Sequence, residues 1–84
     1  MLIMDLVLIN WVKDGKYRTA VLKTLASRDL LSSELASELG INRASMSRIL
    51  RDLKDKGLVK PTVGRSRTIT YSITPLGKKT VEEL

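Results

Sequence analysis

Fifteen lysines and arginines offer most of the chemistry in this sequence, and they are unevenly spread. Eight fall between Arg43 and Arg67 (Arg43, Arg48, Arg51, Lys54, Lys56, Lys60, Arg65 and Arg67), accompanied only by Asp52 and Asp55. That stretch carries the whole formal net charge of +6, because the remaining seven cations are matched by seven acids. Cations gathered on one segment of an otherwise neutral chain are the electrostatic footprint of a polyanion-binding face. The plainer reading is a solvated basic surface. Other chemistries are poorly served. There is no His and no Cys in 84 residues, which removes the commonest general base, the commonest metal ligands and any disulfide. Ser45 and Ser47 therefore lack the usual partner that would activate a nucleophile. Asp52 and Asp55 are accounted for by pairing with helix lysines or by solvent. The expectation is a protein that is not an enzyme, with no cofactor and no metal.

The elements that must position these cations follow from apolar spacing and capping residues. Lys16 to Ser27 reads as a helix with Ala20, Val21 and Leu25 on its apolar stripe, joined by Tyr17 and Leu22, and with Arg18, Lys23 and Thr24 outward. Ser32 to Leu39 reads as a short second helix, capped by Ser32, with Leu35, Ala36 and Leu39 inward and Gly40 just past its end. Asn42 is a suitable N-cap for a third helix, Arg43 to Lys56, which Gly57 terminates. Met46, Ile49, Leu50 and Leu53 lie at i, i+3, i+4 and i+7, one buried face. Arg48, Ala44, Arg51 and Asp55 point the opposite way, with Ser45 and Ser47 on the flanks. Leu58 to Val63 and Thr68 to Thr74 read as strands around the turn Gly64–Arg67, a hairpin with a basic tip. Thr74-Pro75 starts a last helix over 75–84, with Leu76 and Val81 inward. Residues 2–12 are too uniformly apolar for periodicity to separate helix from strand.

This order predicts an α+β fold: a winged helix-turn-helix, with a three-helix core, a two-stranded β-hairpin wing and additional terminal elements. The helix-turn-helix spans 32–56 and the wing 58–74, within a single domain over 1–84. A short helix bracing a longer basic one lets the latter enter the roughly 12 Å wide major groove of B-DNA. Recognition helix 43–56 would present Arg43, Ala44, Ser45, Ser47, Arg48 and Arg51. Arg48 or Arg51 suits the O6 and N7 of guanine, and Ala44 a thymine methyl. Arg43 and Ser45, at the helix start, suit phosphate. Arg65 and Arg67, in wing tip 64–67, would reach the DNA backbone or the minor groove.

The runs Ser33-Glu34-Leu35-Ala36, Leu39-Gly40-Ile41-Asn42-Arg43-Ala44-Ser45-Met46-Ser47-Arg48-Ile49-Leu50-Arg51-Asp52-Leu53 and Lys56-Gly57-Leu58-Val59 resemble the core of winged-helix regulators of the MarR/ArsR-like superfamily. Tyr71-Ser72-Ile73-Thr74-Pro75-Leu76-Gly77 resembles the strand-to-helix junction after the wing, especially in small archaeal and bacterial members. The resemblance covers about residues 16–82 and implies sequence-specific binding of double-stranded DNA in transcription regulation. It is more specific for fold than for role, since winged helices also serve as protein–protein interaction modules of transcription or replication complexes. Leu31 stands where many members have a polar capping residue. Without Cys or His, the metal sensing of some relatives is not implied. The chain is also shorter than members that carry a long dimerisation helix at each end.

The apolar side chains of Leu2 to Val12 exceed what a domain this small readily covers, and such a surplus marks an interface. The expected partner, besides DNA, is a second copy of the chain: a homodimer through Leu2–Val12 and the C-terminal helix. The alternative is that the segment completes the monomer core. It is too short to span a bilayer, which needs roughly 20 apolar residues, and Asp5 interrupts it. No membrane association and a cytoplasmic location are expected.

Overall fold

The computed structural model describes residues 3–64, 66 and 68–84, with side chains from Leu6 onward. Its elements are α1 (Ile3–Asp14), α2 (Arg18–Ser27), β1 (Leu30–Leu31), α3 (Ser32–Leu39), α4 (Arg43–Asp55), β2 (Val59–Val63), β3 (Ile69–Ile73) and α5 (Pro75–Glu82). The fold is the expected α+β winged helix-turn-helix, and the segment left open between helix and strand is helix α1.

Aliphatic side chains hold the fold. Val21, Leu22 and Leu25 of α2 meet Leu35 of α3 and Met46, Leu50 and Leu53 of α4, all 0–1% exposed. Fully burying such a side chain is worth about 1.5–3 kcal/mol, so this three-helix contact dominates the stability of a chain with no Phe. The sheet closes one side through Leu30, Val59 and Ile73.

The sheet has three strands, in the order β1-β3-β2, all antiparallel, where the sequence reading had two. Leu30 and Leu31 pair with Tyr71 and Thr70. Two residues are too few to display a period of two, so β1 left no pattern in the sequence. Because β2 is an edge strand, Pro61 occupies it without removing a ladder hydrogen bond that a neighbour requires.

The second helix departs from expectation at its start. Ser32 is its first residue, not its cap. The capping position is Leu31, whose backbone N–H donates to Glu34 Oε1 at 2.9 Å. Glu34 thus supplies one arm of a capping box, and the other arm, which needs a side-chain acceptor, has none on a leucine.

At the last helix, Thr74 caps as expected: its Oγ1 accepts from the Gly77 N–H at 3.0 Å and donates to the Gly57 carbonyl at 2.7 Å. The inward residues differ. Leu76 is 39% exposed, whereas Gly77 and Thr80 are buried and Val81 is half-buried. The reason is how closely α5 lies on the sheet. A Cβ on Gly77 would sit 2.3 Å from the Leu58 carbonyl oxygen and 2.5 Å from Ile73 Cγ1. Only a residue without a side chain permits that approach. Thr80 satisfies its buried hydroxyl by donating to the Leu76 carbonyl at 2.8 Å.

Helix α1 divides its apolar side chains between the two expected fates. Ile9 and Val12 are buried in the core, and Leu8 and Trp11 pack half-buried against it, while Leu6 and Val7 remain 53% and 63% exposed. Arg18, expected to face outward, is half-buried instead. Its guanidinium stacks 3.8 Å from the centroid of the Trp11 ring and donates to the Trp11 carbonyl at 2.6 Å. This contact ties the start of α2 to α1. Leu2 belongs to the segment predicted to form an interface and lies outside the described residues.

Candidate nucleic-acid interface

The geometry of the helix-turn-helix begins at Gly40. Its φ of 67° and ψ of 34° place it in the left-handed region, where a side chain would meet the backbone and glycine does not. The turn lets the Ile41 N–H donate to the Ala36 carbonyl at 2.9 Å, so Ile41 folds into the core and α4 starts at once. Asn42 then caps α4: its Oδ1 accepts from the Ser45 N–H at 2.8 Å. Asn42→Ala removes this acceptor and is expected to cost about 1 kcal/mol of unfolding free energy. Urea denaturation checks it through an earlier midpoint at unchanged slope.

Beyond the cap, α4 is strongly two-sided. Met46, Leu50 and Leu53 are wholly buried and Ile49 is half-buried, which anchors one side of the helix. Arg43, Ala44, Ser47, Arg48 and Arg51 are all exposed. At 100° per residue these five fall on one arc opposite the anchor. From Arg43 to Arg51 the arc extends roughly 12 Å along the axis. Ser45 is half-buried, at the edge of the arc, with its backbone N–H engaged by Asn42. The structure therefore brings together Arg43, Ala44, Ser47, Arg48 and Arg51, and sets Ser45 beside them. Arg65 and Arg67 lie outside the described residues. Their neighbours are placed: the Gly64 N–H donates to the Thr68 carbonyl at 2.7 Å, closing the hairpin after the pair Val63↔Ile69.

Two other cations of the basic segment take different positions. Lys54, exposed on the same arc as Arg43 and Ser47, belongs with the candidate surface, although the sequence reading did not single it out. Its place follows from the helical period, eleven residues after Arg43. Lys56 lies over the Trp11 ring, its Nζ 5.2 Å from the centroid, and so engages α1. Of the two fates expected for Asp52 and Asp55, pairing with helix lysines or solvent, the second holds: Asp55 is exposed and Asp52 half-buried, with no lysine within ion-pair distance among the described residues. Among the described residues the ion pair formed is Arg28–Glu38, between exposed side chains.

The model of the HVO_A0261 N-terminal domain matches residues 9–84. The chain belongs to this family. This HVO_A0261 N-terminal-type domain is 38% identical over 73 residues to a protein of Methanocaldococcus jannaschii named uncharacterized HTH-type transcriptional regulator MJ0361. That alignment covers 82% of this chain and 68% of the relative.

Solved structures share the fold of this HVO_A0261 N-terminal-type domain. HlyU from Vibrio cholerae superposes with a TM-score of 0.81 at 23% identity, covering 95% of this chain and 87% of HlyU. YusO from Bacillus subtilis gives 0.78 at 25% identity, with 82% and 51% covered. The adhesin competence repressor AdcR from Streptococcus pyogenes gives 0.77 at 21% identity, with 82% and 53% covered. The chain thus spans about half the length of AdcR and YusO. The likeness to these structures shows the fold, the winged helix-turn-helix expected from the residues around Gly40 and Gly57.

Proposed function

We propose that this chain regulates transcription by binding double-stranded DNA sequence-specifically, with α4 in the major groove and the wing against the adjacent backbone or minor groove. The observation that carries this reading is the exposed arc of α4. It presents three arginines, one alanine and one serine on a helix whose diameter, about 10–12 Å with side chains, fits the width of the groove. Short Ala44 and Ser47 let the backbone approach the base edges, while Arg48 and Arg51 have the reach and the paired donors for guanine. Arg43 and Ser45, in the first turn, serve phosphate, where the helix dipole adds to the attraction. No residue in this arrangement has a catalytic task, and no cofactor or metal is needed for it. Enrichment of bound duplexes from a random pool tests the reading. The expected outcome is a recurring short sequence, and an unenriched pool contradicts specific recognition.

The chain works as a cytoplasmic homodimer through α1 and α5 in this reading. Leu6 and Val7 on α1 and Leu76 on α5 are exposed apolar side chains on two helices that pack against each other. A twofold dimer places two α4 helices one turn of DNA apart, on a palindromic site. Sedimentation equilibrium at micromolar protein is expected to give the mass of a dimer, and Leu6→Ser/Val7→Ser the mass of a monomer. A monomer for the unaltered chain contradicts the dimer.

A further inference from the structure

The wing holds a feature that the arginines do not explain. The register of β2 on β3 pairs Val59 with Ile73, Pro61 with Tyr71 and Val63 with Ile69. Side chains alternate along a strand, so these three pairs share one face of the ribbon. That face begins in the core, where Val59 and Ile73 are 2% and 8% exposed, and ends outside it, where Val63 and Ile69 are 70% and 45% exposed. The opposite face, Lys60↔Ser72 and Thr62↔Thr70, is polar throughout. The neighbouring pair, Thr62↔Thr70, shows that the ribbon accepts a threonine pair at this distance from the core. Cross-strand packing therefore does not require apolar side chains there.

We infer that Val63 and Ile69 form an apolar contact for the deoxyribose wall of the DNA minor groove, flanking the site read by α4. The inference rests on the DNA-binding reading above and adds a second, uncharged component to it. Charge selects the occupant. Residues 58–74 contain Lys60, Arg65 and Arg67 and no Asp or Glu. A second copy of the same ribbon would bring like charges together without a carboxylate to relieve them. A polyanion whose groove walls are C–H surfaces satisfies both properties of the wing. Minor-groove binders commonly combine basic side chains with apolar ones. The Val63↔Ile69 pair is also the last one of the ribbon before the Gly64–Thr68 closure, directly beside the segment that bears Arg65 and Arg67.

An apolar contact adds affinity without releasing counterions, which separates it from the arginines experimentally. The test is fluorescence anisotropy of the full chain with mixed-sequence duplex DNA over a salt series, comparing it with Val63→Thr/Ile69→Thr. Threonine keeps the β-branch and so the ribbon. The expected result is a roughly five- to twentyfold weaker binding at every salt concentration, with the slope of log K against log salt unchanged. Equal affinity would overturn the inference and leave the DNA reading intact. A changed slope overturns it too, because the pair then acts by placing the arginines. A fall in oligomer mass with unaltered DNA affinity assigns the pair to a second copy instead. No binding by the unaltered chain overturns this inference and the DNA reading together. Thermal melting guards the comparison, and if the double variant melts lower, Val63→Thr alone supplies the same readout.

Discussion

Arg48→Ala/Arg51→Ala is expected to bind duplex DNA about a hundredfold more weakly than the unaltered chain at low salt. Each of these arginines stands exposed on α4, and its loss removes a charge-assisted contact rather than packing. Unfolding free energy should change by less than about 0.5 kcal/mol per site, as for surface substitutions generally. Salt dependence tells what each arginine touches. If both contact phosphate, the slope of log K against log salt becomes shallower by about 1.8. If both contact base edges, the slope stays and discrimination among sequences is lost. Lys23→Ala/Lys78→Ala removes the same formal charge from exposed positions on α2 and α5 and is expected to leave binding within a few-fold. Equal losses from the two double variants would reduce the role of α4 to its charge alone.

The largest stability effect is expected at Gly77. A methyl group there has no space: the Leu58 carbonyl oxygen would lie 2.3 Å away and Ile73 Cγ1 2.5 Å away. The first is backbone in a strand connection and the second belongs to a core side chain, so neither yields by simple rotation. Gly77→Ala should therefore destabilise by about 3 kcal/mol, the upper part of the usual overpacking range. In a chain of 84 residues that corresponds to a fall in Tm of roughly 15 °C. Gly40→Ala gives the contrast. Nothing lies within 4 Å of a Cβ at Gly40, but its φ is +67°, so the cost is backbone strain alone, about 1 kcal/mol. Thermal melting of the two variants separates crowding from strain, and similar midpoints would show that α5 adjusts its distance from the sheet.

The helix-turn-helix was legible in the sequence because its determinants are local. Met46, Leu50 and Leu53 repeat at the period of one helix face, and Gly40, Asn42 and Gly57 mark its ends by backbone and capping chemistry. The arc of Arg43, Ala44, Ser47, Arg48 and Arg51 follows from the same period. What stayed hidden depended on contacts between distant segments. Strand β1 exists because Leu30 and Leu31 find β3 some forty residues later. The start of α3 hid because the capping acceptor is Glu34, reaching back to Leu31, rather than a polar residue at the cap. Leu76 has the residue type of a core position, yet the close approach at Gly77 turns the helix so that Gly77 and Thr80 face inward. Arg18 and Lys56 read as free cations until the fold sets Trp11 beneath them. In α1 every residue type was compatible with burial, so only packing could separate Ile9 and Val12 from Leu6 and Val7.

The salt dependence of binding by the unaltered chain tests the central claim most directly. Fluorescence anisotropy with a mixed-sequence duplex, from about 50 to 200 mM salt, should show binding that weakens linearly in log K against log salt. The slope should be about −2.7 or steeper, since three or more cations of the α4 arc and wing neutralise phosphates at about 0.9 each. Absence of binding at about 50 mM salt, where exposed charges are least screened, would contradict the DNA-binding account and turn attention to a protein partner for the same basic face.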